Sequence, residues 1–258
     1  MIGKLGFILA MLIASSIFNL ALAETKEIKL PDGSIYTGSL NSGNLLHGQG
    51  VLIWPNGSVY RGFFKNGMMH GKGELRKDNG EVLSGNFEKG YIVNGKMKLG
   101  DGMEYSGDFN KGSPDGVGEI KYSDGTYYKG QVSKGYENGK GEMLTRLGDK
   151  ITGSFSNGLV HGKAHVKYKA GGSFKGTFKE GVKHNYGELV YATGSIYKGT
   201  FVNDLPQGKG KLILHHGELY EGEFYMGEMH GEGRYKYESG KLLVGCFKYN
   251  EYIGPCKK

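Results

Sequence analysis

Proline appears only five times in the 258 residues, tryptophan once and cysteine twice. Glycine reaches 48 residues, yet it follows no Gly-X-Y period, and with so little proline a collagen-like chain is excluded. Disorder is excluded too, because aromatic residues make up 12% of the chain and Val, Ile and Leu are plentiful. Abundant glycine with many rings and few prolines points to an ordered β-protein rich in turns. Beyond the first 23 residues no apolar run is long enough to cross a bilayer as a helix. The two cysteines, Cys246 and Cys256, lie ten positions apart at the very end. An exported chain would join them in one bridge, which on the chain-entropy view stabilises by about 2–3 kcal/mol. The alternative is a pair of free thiols.

Charge of neither sign dominates. The formal net charge is +7, and removing the single unit that Lys4 contributes leaves +6 on the rest of the chain. Such a balance admits nucleic acid, anionic lipid or acidic polymers as partners, but a mixed solvated surface accounts for it equally well. The N-terminus is more specific. Lys4 precedes an apolar stretch from Leu5 to Ala14, and Ala21-Leu22-Ala23 ends the segment before Glu24. That layout is a secretion signal, with residues 1–23 removed between Ala23 and Glu24. An uncleaved anchor is the competing reading, but Ser15, Ser16 and Asn19 cut the apolar run short of the ~20 residues a span needs.

A five-residue phrase decides the fold. An aromatic or aliphatic residue, any residue, Gly, any residue and then Phe or an equivalent begins at Tyr36, Tyr60, Leu83, Tyr105, Tyr128, Ile151, Phe174, Tyr197, Tyr220 and Leu243. Most steps are 23 residues; the first is 24 and the third is 22. Its glycines include Gly38, Gly62, Gly107, Gly130, Gly199 and Gly222, and its closing rings Phe64, Phe109, Phe201 and Phe224. A Gly-x-Gly phrase with alternating residues follows, as in Gly71-Lys72-Gly73-Glu74-Leu75. Pairs such as Asn56-Gly57, Asn79-Gly80 and Asp124-Gly125 punctuate the units and give the strongest short-range hairpin signal. Within each phrase the period is two, which is strand geometry. Glycine at this density excludes helix, at about 1 kcal/mol per position against Ala. Strand glycines would clear space for large rings from neighbouring strands to lie over bare backbone.

These residues resemble the MORN repeat family, whose pattern is an aromatic-x-Gly-x-aromatic phrase, a loop, then Gly-x-Gly and a hydrophobic strand. The resemblance covers residues 36–247. It implies an all-β, elongated, single-layer antiparallel sheet of about ten tandem hairpins, some twenty strands and roughly 95 Å long at about 4.8 Å per strand. Residues 24–35 and 248–258 would cap its two ends against edge pairing. Three places depart from the pattern: Met97 standing for the second glycine, Ala164, and Asn185.

No chemistry stands apart from this framework. Acidic residues sit in turns or beside the paired glycines. His47, His70, His161, His184 and His230 share the position before Gly-x-Gly, where Asp115, Asn138 and Gln207 stand in other units. Hydrogen bonding to a turn explains all of them better than metal ligation. The glycine phrases lead into neither a helix nor a Lys-Ser/Thr pair, so they are not phosphate loops. The rings recur at core positions and do not interleave for base stacking, so nucleic acid is not an expected partner. The chain therefore reads as a non-enzyme without cofactor: a scaffold presenting a long surface to a protein partner in the cell envelope or outside. The alternative is peripheral binding to anionic lipid or an envelope polymer through Lys175, Lys198 and Lys209.

Overall fold

The computed structural model describes residues 26–256, and every element in that range is a strand. The secretion segment and the Ala23–Glu24 junction lie outside the described residues. Twenty-one strands, from Lys26–Lys29 to Glu251–Gly254, pair antiparallel, each with the next, into one open sheet. The first and last strands fall within the two segments expected to cap the array. No helix among the described residues is long and apolar enough to cross a membrane.

Register explains the repeat. In the unit beginning at Tyr60, Tyr60 faces Leu75, Gly62 faces Gly73 and Phe64 faces Met69. All six share one face, here called the ring face. Tyr36, Tyr60, Tyr105, Tyr128, Phe174, Tyr197 and Tyr220 are essentially fully buried on it, with Phe64, Phe109, Phe201 and Phe224 beside them. Each tyrosine leans along its own strand to cover the glycine two residues on and that glycine's cross-strand partner. A Cβ on Gly62 would meet the Tyr60 hydroxyl oxygen at 2.6 Å and the Gly73 Cα at 2.5 Å. One ring thus serves two glycines: the neighbouring strand supplies it for Gly73, as expected, and the same strand supplies it for Gly62. Its hydroxyl then reaches the carbonyl three residues ahead: Tyr60 donates to Phe63 at 3.1 Å, Tyr128 to Gln131 at 2.7 Å and Tyr197 to Thr200 at 3.0 Å. Edge-to-face contacts link the rings into a ladder, Tyr60 touching both Phe64 and Phe87 at 5.1 Å between centroids. Such pairs add about 0.5–1.5 kcal/mol each beyond area burial.

The two glycines of Gly-x-Gly do different things. Gly73 lies under the Tyr60 ring, whereas Gly71 has φ +63° where two extra residues bulge between the Gly62 and Phe64 pairings. Left-handed backbone in a bulge favours glycine, then asparagine. Asn185 stands at that position in its own unit with φ +58°, so it keeps the bulge. Met97 needs correction: it pairs with Leu83, and Gly95 is the glycine facing Gly85. That unit is one residue short because its bulge holds one extra residue, Val93, where others hold two.

Ala164 departs for a packing reason. It faces Gly153, and the residue that would cover both is Ile151 rather than a ring. The vacated ring space is what admits the alanine methyl. Ile151→Tyr alone is therefore expected to destabilise by about 1–3 kcal/mol through overpacking. Adding Ala164→Gly should return most of that, a coupling of about 2 kcal/mol in a urea-unfolding double-mutant cycle. Additive effects would show that ring and methyl do not compete.

The turns also correct the sequence picture. Asn56-Gly57 and its equivalents sit inside five-residue connections such as Trp54–Ser58, closed by Trp54 N–H to Ser58 O at 2.9 Å. The tight two-residue turns are elsewhere: Asn66-Gly67, Lys89-Gly90, Lys111-Gly112 and Lys134-Gly135, with both residues at positive φ. That is the type I′ geometry that matches strand twist. These turns stack along one long edge, most of them bonded to the preceding unit, as in Gly135 N–H to Pro114 O at 2.9 Å. Three of the polar residues before Gly-x-Gly join in: Asp115 accepts from Lys134 N–H at 3.2 Å, His161 from Glu180 N–H at 3.4 Å and Gln207 from Met226 N–H at 3.1 Å. His230 leaves its Nδ1 without a partner, so turn bonding does not account for the whole column.

Candidate functional site

The ring face is closed by its own side chains, which leaves the opposite face open. Along it, strand-centre residues form a register ladder whose charges alternate in short runs, broken where Thr152 and His165 intervene and where Lys198 faces Lys211. Glu119 faces Lys129, which faces Glu142; further on, Lys175 faces Glu188, which faces Lys198. Lys211, Glu221 and Arg234 follow on successive strands. The neighbours engage: Lys129 meets Glu119 at 3.0 Å, Lys198 meets Glu188 at 2.9 Å and Arg234 meets Glu221 at 2.7 Å. Hydrogen bonding to Glu119 holds the Lys129 ammonium above the ordinary lysine value, and Glu188 does the same for Lys198. The Arg234 guanidinium holds the Glu221 carboxyl below its ordinary value.

Toward the C-terminus this face deepens into a trough of about 840 Å³. Its floor is flat backbone, the successive pairings of Gly199, Gly210, Gly222, Gly233 and Gly245, whose would-be side chains point to the ring face. Lys211 and Arg234 line one flank; Tyr186, Lys209, Glu223 and Glu232 line the other. Pro255 and Cys256 form its end, held there by the Cys246–Cys256 disulfide, with Cα atoms 5.0 Å apart.

Of the three lysines expected to meet lipid or polymer, Lys198 and Lys209 line the trough and Lys175 does not. Each has an acid as cross-strand neighbour: Glu188 for Lys175 and Lys198, Glu223 for Lys209. They do not form a free basic strip. Among the described residues no three His, Cys, Asp or Glu side chains are grouped to hold a metal ion.

One buried group escaped sequence reasoning. Glu137 lies on the ring face facing Val132, 2% exposed, where other units place Met69, Ile92, Val160 or Met229. Tyr122 donates to its carboxylate at 2.6 Å, and burial together with that bond pushes the Tyr122 phenol well up. An acid in a column that is apolar in most units, Lys183 being the other charged member, was the available signal.

An open face and a core built by repetition define a repeat protein. The chain belongs to the MORN repeat family, whose model matches residues 36–59, 60–82, 105–127, 128–145, 174–196, 197–214 and 220–241. Repeats of this family are generally binding or scaffold modules. The match skips the units that begin at Leu83, Ile151 and Leu243, where an aliphatic residue replaces the covering ring. No curated protein sequence matches the chain significantly. Among solved structures, the TCP10 domain of Danio rerio CPAP in complex with a STIL peptide is 13% identical with a TM-score of 0.40, covering 85% of this chain and 97% of that one. The SAS-4 TCP domain of Drosophila melanogaster, in complex with a proline-rich motif of Ana2, is 10% identical with a TM-score of 0.27, covering 91% and 97%. At these values neither likeness carries an argument about partner or activity.

Proposed function

We propose that the chain is an exported protein-binding scaffold whose open face, and the C-terminal trough above all, receives a segment of a protein partner in the cell envelope. The trough carries this reading. Flat glycine backbone admits a chain closely, while flanking charges of both signs fix its orientation more than its affinity. A photo-reactive residue in place of Tyr186 should crosslink one saturable partner in intact cells. The same residue at Lys96, on the open face but distant from the trough, should not. Lys211→Glu with Glu232→Lys should weaken that complex by about tenfold or more. Equal crosslinking at both positions would sink the reading. Peripheral attachment to anionic lipid is the weaker alternative, because the acids beside Lys175, Lys198 and Lys209 offset their charge. Salt-sensitive sedimentation with anionic vesicles, abolished by reversing those lysines, would favour it.

A further inference from the structure

The residue that follows each tight turn opens the next strand on the open face, at the stacked-turn edge. In several units it is large, apolar and exposed: Met68, Tyr91, Tyr136 and Leu159 keep between 44% and 59% of their surface in solvent. Three of them lean over the next turn: a Cβ built on Gly112 would lie 3.7 Å from the Tyr91 ring, one on Gly158 4.0 Å from Tyr136 and one on Gly181 3.8 Å from Leu159, whereas Gly90 has no neighbour from Met68. That contact is not a requirement of the fold, because Ser113 and Glu228 occupy the same position in other units. The apolar choice is left over once the fold is explained.

Cations outnumber acids on the same edge, where Glu88 faces Tyr91 and Glu180 opens a later turn. Lys89, Lys111 and Lys134 are the first residues of consecutive tight turns, and Lys65 faces Met68 across another. All four are exposed, and none makes an ion pair among the described residues, unlike Lys129 and Lys198 on the ladder. Met68 and Tyr91, and likewise Tyr136 and Leu159, lie two strands apart, about 9.6 Å, while Ser113 interrupts the ridge and leaves Tyr91 and Tyr136 four strands apart, about 19 Å. Seven residues of α-helix rise about 10.5 Å. A helix with one apolar residue per heptad therefore meets the ridge nearly in step, and acidic flanks would pair with the unpartnered lysines.

We propose that the turn edge around Met68, Tyr91, Tyr136 and Leu159 docks an acidic amphipathic helix of a partner protein, at a site separate from the trough. A line of single side chains suits a helix; a bilayer would call for a broad apolar area.

The test uses dye-labelled four-heptad peptides, a small panel with leucine seams and Glu flanks, against matched peptides with Lys flanks, read by anisotropy on the mature chain. At least one acidic peptide should bind, about tenfold or more tighter than its basic counterpart. Tyr91→Ser with Tyr136→Ser should weaken it about tenfold or more. Lys89→Glu with Lys134→Glu should shift preference toward the basic peptides. Lys211→Glu with Glu232→Lys in the trough should leave binding unchanged, so failure here is distinguishable from failure of the trough. Circular dichroism checks that these exposed substitutions leave the sheet intact. No acidic peptide binding at roughly 100 µM, or binding indifferent to the ridge variants, would overturn the proposal. So would anionic vesicles that sediment the chain through Tyr91 and Tyr136 while the peptides do not bind.

Discussion

Gly233→Val is expected to lower the thermal midpoint by roughly 10 °C, from a loss of about 4 kcal/mol. A Cβ at this position would sit 2.5 Å from the Tyr220 hydroxyl oxygen and 2.6 Å from its Cε2. Backbone cannot yield there, because Gly233 is paired on both sides, to Gly222 and to Gly245. The ring must leave instead. Tyr220 is fully buried, donates to the Glu223 and His230 carbonyls at 2.9 and 3.1 Å, and packs edge-on against Phe224 and Phe247. Exposing it forfeits about 2–3 kcal/mol of burial, and the lost hydrogen bonds add about 1–2 kcal/mol. Units of a repeat array stabilise mainly their neighbours, so amide exchange should quicken over the strands 219–254 and stay slow before residue 145. Gly240→Ala is the control. Nothing lies within 4 Å of a Cβ there, and only its φ of +84° resists. That substitution should cost about 1–2 kcal/mol. Equal losses for the two variants would show that backbone conformation, not the overlying ring, sets the demand for glycine.

The hairpin array was legible because its signal is phase. Rings and glycines recur in step, and period-two alternation assigns each to a face without any knowledge of contacts. What stayed hidden depends on register across strands. Met97 looks like a substituted glycine when aligned by sequence, and becomes an ordinary core residue once Leu83 is seen opposite it. The tight turns were obscured because Lys89, Lys111, Lys134, Glu180 and Met226 adopt positive φ without being Gly or Asn. Their strain of about 1–2 kcal/mol per residue is tolerated where the sheet and the stacked turns fix both ends. The charge balance around the lysines was hidden for a related reason. Lysines counted along the chain give an excess, whereas the ladder sets Glu188 between Lys175 and Lys198. The trough has no sequence signature, because cross-strand pairing decides which side chains flank its glycine floor. Glu137 and the apolar ridge were visible in principle, as columns of the repeat whose chemistry changes between units.

Alkaline pH should unfold the array cooperatively, through the tyrosines that build it. Burial pushes the phenols of Tyr60, Tyr105, Tyr128 and Tyr220 up to about 12, with the neighbouring Asp108 adding to the rise at Tyr105. In the unfolded chain a tyrosine titrates near 10. A folded value above the unfolded one means the stabilisation is complete below about pH 10 and is lost as pH rises toward about 12. Four phenols shifted together make the loss steep, so tyrosinate absorbance and the strand circular-dichroism signal should change in one transition. Phenylalanine already occupies the covering position at Phe174, so the ladder accepts a ring without a hydroxyl. Tyr60→Phe, Tyr128→Phe and Tyr220→Phe together should therefore have opposite effects at the two ends of the scale. At pH 7 the variant loses three hydroxyl-to-carbonyl bonds and should be less stable, by about 1 kcal/mol for each. Above about pH 11 it has three fewer buried phenols to ionise, and its alkaline midpoint should move up by roughly half a pH unit or more. A midpoint that stays in place would mean that surface lysines losing their charge, and not the buried ladder, drive the transition.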